Sequence, residues 1–203
     1  MTPMFPLGSV LMPAMPLPLR VFEPRYLSML DAVLDRETLD FGVVLIERGH
    51  EVGGGDARFG VGTMARVEQV ETGAGLAALV ARGSRRFTVD AWLLDDPWPQ
   101  AEVTIVDELQ WHEDDRALLE ATERVVRQSL AQVSEFIDTV WESTVELSKD
   151  PIDRSWQLAG IAPVGQMEQI DLLSSTSVEQ LLTTIDTQSR AALETAHLRA
   201  DLT

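Results

Sequence analysis

Six prolines stand within the first 24 residues: Pro3, Pro6, Pro13, Pro16, Pro18 and Pro24. Proline has no N–H to give to a ladder and holds φ near one value, so this segment cannot run through the middle of a sheet or a helix. It is also rich in Met, Leu and Val, so it must lie extended against a core. The spacing predicts short strands over 4–7 and 19–22 with a turn about 12–16. Pro24 suits the first position of a helix, where a missing N–H costs nothing. Leu27, Met29, Leu30, Val33 and Leu34 then keep helical spacing to about Arg36.

Beyond this segment the period of the apolar pattern changes once, near residue 110. Before it, residues 41–46 form a continuous apolar run, and a glycine loop follows at Gly53-Gly54-Gly55. A strand is expected over 61–70, a hairpin turn at Thr72-Gly73-Ala74-Gly75, a strand over 76–81 and a break at Gly83-Ser84. Phe87, Val89, Ala91 and Leu93 alternate with polar neighbours as a half-buried strand does. A last strand is expected over 103–106. Six or so strands separated by turn signals suggest a small closed or nearly closed barrel.

After residue 110 only Gly160 and Gly165 remain of the 13 glycines. Leu119, Val126, Leu130, Val133, Ile137 and Val140 fall on one face of a single long helix that Asp114 or Asp115 can cap and that Asp150-Pro151 stops. Pro163 opens a short helix carrying Met167, Ile170 and Leu173. Thr176-Ser177-Val178-Glu179 fits a capping box for a final helix to about Ala200, with Leu181, Ile185 and Leu193 inside. The chain therefore reads as α+β, with a β-rich part over 1–110 and a bundle of helices over 111–203.

Charge and composition remove several classes of function. The 33 acidic and 16 basic residues give a net charge of −17, which repels a phosphate backbone and makes nucleic acid an unlikely partner. With no cysteine, disulfides, thiolate nucleophiles and Cys-ligated metals are excluded. The N-terminus lacks the basic and apolar regions of a secretory signal, and no stretch reaches the ~18 apolar residues of a membrane span. A cytoplasmic location is the default expectation.

The usual catalytic constellations are also missing. Fifteen of the 16 basic residues are Arg, so any lysine chemistry falls to Lys149, which Asp150 follows in place of a Walker-type Ser or Thr. Ser148 adjoins Lys149, but neighbours on a helix do not face each other. His50, His112 and His197 share no metal-ligand spacing, and Gly53-Gly54-Gly55 reads as a hairpin loop. No Gly-x-Ser-x-Gly elbow occurs. No catalytic residue, cofactor or metal is expected.

The segment Phe5-Pro6-Leu7-Gly8-Ser9-Val10-Leu11-Met12-Pro13, with Leu19 beyond it, resembles the opening of the N-terminal, substrate-binding domain of Lon proteases. Phe22-Glu23-Pro24-Arg25-Tyr26 is similar to the following segment of short standalone bacterial members. Gly60-Val61-Gly62-Thr63-Met64-Ala65-Arg66-Val67 resembles the family's Gly-x-Gly-Thr-x-Ala-x-Val strand, and Gly83-Ser84-Arg85-Arg86-Phe87 its Gly-x-x-Arg-Phe strand. Gln169-Ile170-Asp171-Leu172-Leu173 and Gln180-Leu181-Leu182 resemble the helical end, although Gln180 replaces the usual Arg. The resemblance implies a PUA-like pseudo-barrel followed by a helical bundle, with the ATPase and protease domains of full-length Lon absent. It implies a non-catalytic module that binds unfolded or partner polypeptide, as an adaptor or accessory in protein quality control. RNA binding through the barrel is the alternative.

A module without reactive groups acts through its surface. The candidate polypeptide-binding residues are Leu11, Met12 and Met15, as aliphatic grips, with Arg20, Glu23, Arg25, Tyr26 and Arg86 as polar and aromatic contacts. The competing reading places the three aliphatic side chains in the core and pairs Glu23 with an arginine. Phe136 and Trp141 mark a second surface, for which a core role is favoured.

Overall fold

In the computed structural model, residues 1–48, 57–73 and 75–200 are described. The glycine loop with His50, and Ala74 of the expected hairpin turn, lie outside them. The chain forms two compact units, residues 1–108 and 109–203. The first carries a mixed sheet and one helix, the second only helices, so the protein is α+β.

In the first unit β1 (Thr2–Leu7), β2 (Pro16–Val21), α1 (Pro24–Leu34), β3 (Asp40–Arg48), β4 (Ala57–Gly73), β5 (Leu76–Trp92) and β6 (Gln100–Ile105) follow in order. The sheet order is β2-β5-β4-β3-β1-β6, and β6 also pairs back onto β5. The pairings of β5, β4, β3, β1 and β6 therefore close on themselves, with β2 attached outside the ring. β1 lies parallel to β3; the remaining pairs are antiparallel.

The expected break at Gly83-Ser84 is instead a bulge within one continuous 17-residue strand. Thr63 pairs with Arg86 and Ala65 with Gly83, so β5 carries one extra residue between them. On one side of this bulge β5 pairs with β2, from Ala77 to Arg82; on the other it pairs with β6, from Phe87 to Trp92. Gly83 is required by close approach. A Cβ there would run into the carbonyl of Met12, whose segment is pinned to β5 by Ala14 N–H donating to the Gly83 carbonyl (2.8 Å) and Gly83 N–H to that of Met15 (2.9 Å).

Both faces of β1 and β3 are buried, which explains the unbroken apolar run of β3. One face holds Met4, Val44, Met64, Phe87 and Ala101, with Val89, Trp92 and Val103 against them. Two glycines make room for the large members. A Cβ on Gly42 would lie 2.6 Å from the Met4 sulfur, and one on Gly62 would lie 2.7 Å from Phe87 Cζ. The other face is covered by α1 and the segment between β1 and β2. There Phe5 stacks on Tyr26 at 4.2 Å and lies 6.0 Å from Phe41.

The second unit contains α2 (Arg116–Val133), α3 (Pro151–Ile161), α4 (Gln166–Leu173) and α5 (Val178–Ala200). The single helix expected as far as Asp150 ends at Val133. A straight helix over 116–150 would extend ~52 Å, whereas α5 is only ~35 Å long. Ser134 N–H bonds back to the Leu130 carbonyl, and the β-branched Ile137, Thr139 and Val140 beyond are poor helix formers. Asp150-Pro151, expected as a stop, is the start of α3. The Asp150 carboxylate accepts from the N–H groups of Ile152 (2.9 Å) and Asp153 (3.0 Å), and Pro151 opens the helix.

The capping box of α5 sits one residue later than expected. Ser177 Oγ accepts from Gln180 N–H, and Gln180 Oε1 accepts from the N–H and hydroxyl of Thr176. Gln180 thus serves the helix start. Within the unit, Leu119, Val126, Leu130, Leu158, Leu172, Leu181, Leu182 and Ile185 are buried.

The tight ring interior gives a direct test. Gly62→Ala should lower stability by about 1–3 kcal/mol, because Phe87 and the β3 backbone must give way together. Gly60→Ala, whose Cβ meets nothing within 4 Å, should stay within about 0.5 kcal/mol of the parent. Urea unfolding midpoints of the two variants measure the difference.

Candidate functional site

The structure puts the proline-rich candidates into the core. Leu11, Met12 and Met15 are buried, Met12 to 1 % exposure, and do not form an exposed aliphatic grip. The physical reason is the pinning of their segment: besides the two bonds to Gly83, Thr63 Oγ1 donates to the Leu11 carbonyl at 2.6 Å and Arg82 to that of Ala14 at 3.0 Å. Tyr26 is buried in its stack with Phe5. Glu23 pairs with Arg25 at 3.1 Å, and the Arg25 guanidinium lies 4.5 Å above the Tyr26 ring. Arg86 is buried in β5 and donates to the Asp107 carbonyl at 3.1 Å; burial pushes its guanidinium below the ordinary arginine value. Of the eight candidates only Arg20 is classed as exposed.

Strand addition, one way for a sheet to hold an extended peptide, finds few donors along β2. In the described sheet β2 is the strand with one side unpaired along its length. Gly83 N–H donates to the Met15 carbonyl, and Pro16 pairs with Arg82, Pro18 with Val80 and Arg20 with Ala78. That phase points the backbone nitrogens of Pro16, Pro18 and Arg20 away from β5. Two of the three are prolines, so the free edge has almost nothing to donate.

Among the described residues no group of three acidic or histidine side chains is placed to hold a metal ion. His112 and His197 are exposed; His112 precedes α2 and His197 lies in α5. Ser148 Oγ accepts from the Asp150 backbone N–H, so it helps to shape the start of α3. No helix among the described residues is long and apolar enough to cross a membrane.

What the second unit does display is an apolar strap. Residues 134–150 leave α2 and return to α3 without forming a helix. Arg127 of α2 ties the strap down. Its guanidinium donates to the carbonyls of Ser143 (2.5 Å) and Val145 (3.1 Å), while its Nε bonds Glu123 at 2.8 Å. Glu123 also pairs with Arg154 of α3. Nearer α3, Ser148 N–H donates to Gln157 Oε1 at 2.6 Å.

The apolar side chains lie ahead of these ties. Phe136 is 43 % exposed, Ile137 58 % and Val140 91 %. Phe136 meets His197 of α5 edge-on at 5.7 Å, and the next α5 residue, Leu198, is 67 % exposed. A run of large apolar side chains left in water is the usual mark of a contact surface. Of this set the sequence had marked Phe136 and Trp141 as a second surface with a core role favoured; Trp141 is half-buried. Ile137 and Val140 had been placed on the buried face of a helix that does not form. The signal for them was the β-branched run interleaved with acids from Glu135 to Glu146, which suits an exposed loop better than a core helix.

The substrate-binding domain of ATP-dependent protease La (LON) matches residues 1–187 as a family profile. Among solved structures, the chain is similar to the Lon N-terminal domain protein from Xanthomonas campestris. The two share 28 % identity at a TM-score of 0.59, over 90 % of this chain and 96 % of that one. The N-terminal domain of Mycobacterium avium complex Lon protease has the same fold at 20 % identity and a TM-score of 0.63, over 93 % and 97 % of the two chains. A comparison with curated proteins gives no match.

Arg127→Ala should free the strap without unfolding the unit. Hydrogen bonds from a charged donor contribute about 1.5–3 kcal/mol, so amide exchange over 143–147 should quicken at least tenfold, with exchange in α5 unchanged. Hydrogen–deuterium exchange resolved by mass spectrometry reads both.

Proposed function

The chain belongs to the ATP-dependent protease La (LON) substrate-binding domain family, and on that premise we propose that it is a polypeptide-binding module without catalysis of its own. The observation that carries this reading is the strap with Phe136, Ile137 and Val140 exposed in the second unit. An unfolded chain offers apolar side chains and irregular backbone. A loop of exposed apolar groups accepts such segments without demanding one sequence. The proline-blocked edge of β2 directs binding toward side chains rather than backbone pairing.

In this reading the strand ring of the first unit is a PUA-like pseudo-barrel and the second unit a helical bundle that carries the contact surface. Arg20 and Phe22 supply a smaller second contact. Phe22 is 60 % exposed, and the pairing of Val21 with Ala77 sets it beside Leu76, which is 42 % exposed. The module acts as an adaptor or accessory in protein quality control. The net charge of −17 weighs against RNA as the ligand.

The test is fluorescence anisotropy with a labelled, permanently unfolded model protein. The parent should bind it, and Ile137→Asp/Val140→Asp should bind at least tenfold more weakly. Burying one such side chain contributes about 1.5–3 kcal/mol, and about 1.4 kcal/mol is a factor of ten in Kd. Both side chains are exposed, so the unfolding midpoint should hold within about 0.5 kcal/mol. Equal binding by parent and variant would remove the strap from the reading, and no binding by the parent would remove the reading.

A further inference from the structure

The strap's charges favour one kind of polypeptide. We infer that this surface takes segments whose apolar residues are flanked by lysine or arginine; the inference rests on the polypeptide-binding reading and adds the substrate class. Glu135, Asp138, Glu142 and Glu146 alternate along the strap with Phe136, Ile137, Val140, Trp141 and Val145, and all four acids are exposed. No lysine or arginine stands between Arg127 and Lys149. Arg127 points its donors at Glu123 and at two strap carbonyls. Among the described residues none of the four acids is in an ion pair, and the bond made by Glu142 is a long one, 3.5 Å from the Thr144 hydroxyl. On α5 the charges nearest in sequence to His197 and Leu198 are Glu194 and Arg199, opposite in sign.

The charges interleaved with the apolar side chains along the strap therefore form an acidic rim with no basic residue in it. A basic flank meets that rim while its apolar core covers Ile137 and Val140; an acidic flank meets like charge at the same spacing. Single exposed ion pairs contribute little, so the selection comes from four charges acting together, and it weakens as salt screens them.

The experiment uses the full chain and three labelled peptides with one apolar core, flanked by two lysines, two glutamines or two glutamates at each end. At low salt the order of affinity should be Lys, Gln, Glu, with at least tenfold between the extremes. The span should collapse in about 1 M salt, where the Debye length is ~3 Å. A variant carrying Glu135→Gln, Asp138→Asn, Glu142→Gln and Glu146→Gln should bind all three alike, near the affinity of the parent for the glutamine peptide. If the parent binds all three equally, the charge inference falls and the polypeptide reading stands. If the variant keeps the full span, the preference belongs to the net charge of the whole chain, and the inference about the strap falls. If no peptide binds, the reading beneath it falls as well.

Discussion

The first unit depends on how little room lies inside its ring of five paired strands. Met4 and Phe87 fill it, and they fit because Gly42 and Gly62 on the neighbouring strands carry no Cβ. Large side chains set against glycine are the general solution for a ring this small. Closure follows from it. With the interior filled, β6 can pair with both β1 and β5, and the bulge in β5 lets one long strand pass from β2 to β6. The outer face then takes α1 and the proline-rich segment, so β1 and β3 are buried on both sides.

Closure has a functional consequence. Among the described residues β2 is the strand left with one side unpaired along its whole length, and its prolines remove most of the donors that edge has to offer. A chain that recognised its partner by strand addition would need the opposite arrangement. The buried Met12 and the stacked Phe5 and Tyr26 show how completely the N-terminal segment is used to cover the first unit.

In the second unit the decisive contact is Arg127. One guanidinium holds two carbonyls of a strap that has no regular structure of its own, and so fixes its position. Polar atoms anchor it near Ser143 and Val145, while Phe136, Ile137 and Val140 remain in solvent among acids. The division of labour separates the residues that place the surface from those that make it.

The sequence by itself determined the two regimes of period, the extended character of the first segment, the strand order in the chain and the helix starting at Pro24. Those follow from proline's missing donor, glycine's missing Cβ and the spacing of apolar residues, which are local properties. The family was also legible, since Gly60 to Val67 and Gly83 to Phe87 carry its pattern and supply both the interior glycine and the bulge. Tertiary structure alone decided which apolar residues are covered. Leu11, Met12 and Met15 are buried because Gly83 and Thr63, distant in sequence, hold their backbone, whereas Ile137 and Val140 are exposed because α2 ends before reaching them. Periodicity records the spacing of apolar groups along the chain; whether another element lies opposite to bury them is settled by contacts the spacing does not contain.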